Sequence, residues 1–66
     1  MTVARVTKIT ASSPKSMSDA VSEGLNRAAK TLHNITGLEV ITQKAKVENG
    51  AIKEYRVTIE ITFILD

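Results

Sequence analysis

The chain has 66 residues, 42% of them hydrophobic and 24% charged, with a formal net charge of +2. A chain this short buries only roughly 60% of the surface that its unfolded form exposes, so residues 1–66 are read as one domain with a thin core. With no Cys and one His, disulfides, thiolate metal sites and a histidine-rich metal centre are excluded, and association is the stabilising device left. Neither the small net charge nor the two aromatics, Tyr55 and Phe63, suit a nucleic-acid partner, since there is no stacking platform. No apolar run approaches about 18 residues and the N-terminus lacks the charged-then-apolar layout of a signal peptide, which predicts a cytoplasmic chain with no membrane partner.

Met1 to Thr10 is rich in β-branched residues but carries Arg5 and Lys8, the pattern of a strand at a sheet edge. Ala11-Ser12-Ser13-Pro14 breaks it. Two helix starts compete here: Ser13 as N-cap with Pro14 at the first position, or Ser16 with Asp19 three residues on, in a capping-box arrangement. From Met17 the apolar positions Ala20, Val21, Leu25, Ala28, Leu32 and Ile35, with Gly24 on the same stripe, recur at helical spacing. Gly24 and the small alanines let such a helix lie close to a sheet. Gly37 is placed to end it in a left-handed conformation.

Leu38 to Glu48 reads as the second strand and Asn49-Gly50 as a two-residue type I′ turn, since both residues tolerate positive φ. Glu48 then faces Ala51, and counting back sets Val40 against Ile59, Leu38 against Ile61, Gln43 against Arg56 and Ile41 against Thr58. The like-charge pairs this produces, Glu39 with Glu60 and Lys46 with Lys53, hint at a bulge or at strand twist. Glu54 to Asp66 alternates Tyr55, Val57, Ile59, Ile61, Phe63 and Leu65 with mostly polar residues, the period-two signature of the central strand.

The predicted fold is therefore α+β, in the order β-α-β-β, with a three-stranded antiparallel sheet wrapped on one helix. The helix covers the Val40/Ile59 face. The opposite face, with Ile41, Val47, Ile52, Thr58, Thr62 and Ile64 among its charges, has no cover within the chain, and a second copy is the obvious one. No phosphate loop, HExxH, GxSxG or Cys/His pair is present, so no catalytic residues are assigned. His33 reads as a surface residue at the helix end. Glu39 with Glu60 is a candidate acid/base or cation-binding pair, against separately solvated carboxylates; Lys44, Lys46 and Lys53 form a candidate basic patch, against lysines that guard a sheet edge.

These elements together resemble the dodecins, small flavin-binding proteins whose β-α-β-β subunits assemble into a hollow dodecamer of cubic symmetry. The likeness is carried by Ser12-Ser13-Pro14, the stretch Leu25-Asn26-Arg27-Ala28-Ala29-Lys30-Thr31-Leu32, Glu39-Val40, Gly50, Tyr55-Arg56-Val57 and Phe63-Ile64-Leu65, and it runs nearly the whole chain without gaps. It implies a non-enzymatic homo-dodecamer that binds and buffers a flavin, riboflavin or FMN, at the strand faces turned away from the helix. Three positions match the family's flavin site with changed identities. Gly37 stands where the family has a Trp that stacks on the isoalloxazine ring, Arg56 where it has a Gln that hydrogen-bonds the flavin, and Thr42 where an Asp or Ser is common. The resemblance thus carries the fold over and weakens the flavin site. The alternative is a dodecin-shaped assembly that binds no flavin and holds an anionic ligand or ions. An Arg56 facing a ligand cavity would favour anionic partners such as FMN or coenzyme A, because a guanidinium stays charged and pairs with phosphate.

Overall fold

The computed structural model describes residues 2–65. Four elements follow in the order β1 (Ala4–Ser13), α1 (Met17–Ala28), β2 (Ile35–Glu48) and β3 (Ala51–Ile64). The sheet is antiparallel with strand order β1-β3-β2, so the strand with the cleanest alternation is the central one. Met1 and Asp66, the outer ends of the first and last predicted strands, lie outside the described residues.

Both serines at the first break have a use. Ser16 is the N-cap of α1, its Oγ accepting from the Asp19 N–H at 3.0 Å. Ser13 is buried; its Oγ donates to Asp19 Oδ2 at 2.6 Å and accepts from the Lys15 N–H at 3.0 Å. This ties the end of β1 to the first turn of the helix. The stripe of Ala20, Gly24 and Ala28 faces the sheet and is buried. A Cβ at Gly24 would meet Ile59 Cδ1 at 3.1 Å and Ala11 Cβ at 3.2 Å, so the absence of a side chain there sets how close the helix lies.

The helix stops earlier than its apolar spacing predicts. It ends at Ala28 with Ala29 as C-cap; Leu32 and Ile35 leave the helix but still pack against the core, and His33 lies beyond it on the exposed connection. The left-handed residue on this connection is Asn34, at φ 62°, not Gly37, which belongs to β2 and sits opposite Thr62.

The hairpin closes as predicted, with Asn49 at φ 52° and Gly50 at φ 78°, and Glu48 opposite Ala51. Leu38 faces Ile61, Glu39 faces Glu60 and Val40 faces Ile59, but the register shifts around Ile41 and shifts back around Lys53. Between these two bulges Thr42 meets Thr58, Gln43 meets Val57 and Lys44 meets Arg56, instead of Ile41 with Thr58 and Gln43 with Arg56. Each extra residue reverses which face the following side chains take. One gain is electrostatic: Lys46 now opposes Glu54 rather than Lys53.

The core is thin. Its fully buried large side chains are Ile59, Ile61 and Val57, each worth roughly 1.5–3 kcal/mol, while ordering the backbone costs about 1 kcal/mol or more per residue. The helix packs on β1 and β3, leaving every residue of β2 from Glu39 onward exposed, including Val40 at 38%, Ile41 at 40% and Val47 at 60%. The hairpin therefore projects as an arm. The molecule measures 52 × 19 × 13 Å, with a radius of gyration of 13.6 Å where about 10.8 Å suits a compact chain of this length. Its accessible surface of 4810 Å² exceeds the roughly 4,100 Å² of a typical monomer of its mass.

Candidate functional site

Because Val57, Ile59 and Ile61 point to the helix, Arg56, Thr58, Glu60 and Thr62 point to the other face of the sheet. The register lays out rows across that open face. Val6, Thr62 and Gly37 form one; Lys8, Glu60 and Glu39 the next; then Thr10, Thr58 and Thr42; then Ser12, Arg56 and Lys44. All three residues singled out from the sequence, Gly37, Thr42 and Arg56, thus share one face. They do not share one place. Arg56 and Thr62, the partner of Gly37, are six residues apart on β3, a separation of about 20 Å at roughly 3.3 Å per residue.

Gly37 lies in the half-buried end of the face, with Thr62 between it and exposed Val6. A Cβ there would meet Thr62 Cβ at 3.9 Å, an ordinary contact, so a larger side chain is sterically allowed. Thr42 sits at the middle, next to the Thr10 and Thr58 hydroxyls, whose Oγ1 atoms are 3.1 Å apart. The carboxylates of Glu39 and Glu60 occupy neighbouring positions as predicted, but Lys8 Nζ lies 4.0 Å from Glu60 Oε2. Among the described residues no group of three or more potential ligands could hold a metal ion.

Arg56 is not free. Its Nη2 donates to Glu54 Oε2 at 2.7 Å, two residues back on the same strand face. The predicted basic patch is also rearranged. Lys53 turns to Glu48, with Nζ at 3.0 Å from Oε1, whereas Lys44, Ala45, Lys46 and Arg56 line a shallow hollow of about 330 Å³. The residue missed is therefore Lys44, the direct neighbour of Arg56 across the strands. Period-two parity alone places Glu54 and Arg56 on one face, so that contact had a sequence signal; the Lys44 pairing depends on the bulge and had none. No helix among the described residues is long and apolar enough to cross a membrane.

The fold has close solved counterparts. A dodecin from Streptomyces davaonensis superposes with a TM-score of 0.93 at 37% identity, covering 98% of this chain and 96% of that one. A calcium-chelating immunodominant antigen of Mycobacterium tuberculosis, termed calcium dodecin, matches at 32% identity and a TM-score of 0.83, over 97% of this chain and 91% of its own. The Thermus thermophilus dodecin, in a single-residue variant, gives 27% identity, a TM-score of 0.95 and coverage of 100% and 98%. None of the curated proteins searched matches the sequence. With the family model for dodecin matching residues 3–66, the chain belongs to the dodecin family.

Proposed function

We propose that the protein is a small-ligand binding and storage protein that works as a closed homo-dodecamer, with ligand sites built where open sheet faces of several copies meet. Membership of the family makes it a non-enzymatic protein. The observation that carries the assembly is the spacing on the open face: Gly37 and Arg56 share that face yet stand about 20 Å apart in one chain, so a pocket using both positions needs more than one copy. The projecting arm and the excess surface support the same reading.

The ligand of this reading is a flavin, riboflavin or FMN, held weakly. Gly37 offers no ring to stack on, and base stacking on aromatic side chains is worth about 1–3 kcal/mol per face. Arg56, turned to Glu54, supplies a charged donor but no acceptor where a neutral amide would supply both. The hollow lined by Lys44, Lys46 and Arg56 favours a second reading, an anionic ligand in place of a neutral flavin. Fluorescence quenching of riboflavin and of FMN by the purified protein tests both. Weak quenching of both flavins supports the first reading, FMN quenching that fades with salt supports the second, and an assembled protein that quenches neither overturns flavin binding.

A further inference from the structure

We infer that Glu54 is a built-in competitor for Arg56 and sets the affinity of the Lys44/Lys46/Arg56 hollow for phosphate-bearing anions. This rests on the ligand-binding reading above and names the residue that tunes it. Lys44 and Arg56 lie directly opposite on adjacent strands, a like-charge pair that an isolated sheet disfavours. Lys46 follows on the same side and lines the same hollow, so three cations converge on one concave surface. Among the described residues Lys44 has no carboxylate within ion-pair distance, and Lys46 has Glu48 Oε2 only at 3.9 Å.

The acid that reaches Arg56 is Glu54, at 2.7 Å and with its backbone opposite Lys46. A guanidinium binds carboxylate and phosphate with the same fork of N–H donors, so an oxyanion entering the hollow must take those donors from Glu54. Arg56 alone is thus a poor anion receptor, and Lys44 and Lys46 carry the attraction until Glu54 is displaced. Both partners of the ion pair are partly solvated, with side chains 52% and 31% exposed, so the competition is modest and reversible.

The test uses inorganic pyrophosphate titrated into the assembled protein at low salt, followed by calorimetry. Glu54→Gln removes the competing charge and keeps the side-chain shape; it should tighten pyrophosphate about two- to fivefold, the size of an exposed ion pair. Lys44→Ala should weaken it, and Arg56→Gln added to Glu54→Gln should abolish the gain. Unchanged affinity in Glu54→Gln, or an equal gain with Arg56 absent, overturns the inference. Particle mass and riboflavin quenching, measured on the same samples, report separately on the assembly and flavin readings, so failure of either is told apart from failure of the Glu54 role.

Discussion

Replacing Gly37 by Trp and Arg56 by Gln should raise riboflavin affinity well above that of the unmodified protein. The structure removes the main steric objection: Gly37 is a strand residue and not a left-handed cap, and a Cβ there finds its nearest neighbour at 3.9 Å. Trp also suits a half-open strand better than Gly does, by about 0.5–1 kcal/mol. Each face of the flavin that gains an indole should gain about 1–3 kcal/mol, or roughly five- to 150-fold in affinity. Against this, Arg56→Gln leaves Glu54 without its 2.7 Å partner, a loss of about 0–1 kcal/mol for an exposed pair, and also relieves the opposition of Lys44 and Arg56. Stacking outweighs the loss. Riboflavin fluorescence quenching on the wild type, both single variants and the double variant measures the gain, with particle mass checked alongside. An intact double-variant assembly with unchanged riboflavin affinity would refute the reasoning and show that the site is formed by other residues.

Three further outcomes follow from the fold. Gly24→Val should destabilise by about 1–3 kcal/mol, because its side chain must displace Ile59 and Ala11 in a packed contact; urea unfolding at fixed protein concentration reads it. Ser13→Ala should cost about 1–3 kcal/mol in the same assay, since the buried hydroxyl serves both the Asp19 carboxylate and the Lys15 N–H. Gly50→Ala should cost about 1–2 kcal/mol, since φ of 78° disfavours any side chain, and open space around the Cβ means the loss is conformational alone.

Much of the fold was legible because its signals are local. The Asn49-Gly50 turn fixed both ends of the hairpin, the alternation from Tyr55 to Phe63 fixed the central strand, and the Ala20, Gly24, Ala28 stripe fixed the helix face. The helix end was misjudged for a physical reason. Leu32 and Ile35 keep apolar phase with the helix and pack on the same core, although the helix has already ended at Ala28 and the chain turns at Asn34 between them. The bulges at Ile41 and Lys53 escape period-two counting, which cannot locate a single inserted residue; the opposed lysines predicted at 46 and 53 were their trace. For the candidate site, the shared face of Gly37 and Arg56 was within reach of the sequence, whereas Thr42 joins it only through the bulge at Ile41. Their separation along the strands and the capture of Arg56 by Glu54 required the register and the rotamers.

Light scattering after gel filtration at micromolar concentration tests the proposed assembly most directly. The projecting arm, the uncovered face and the divided site together predict a single species with the mass of a dodecamer of 7.2 kDa chains. A stable, monodisperse monomer under the same conditions would contradict it.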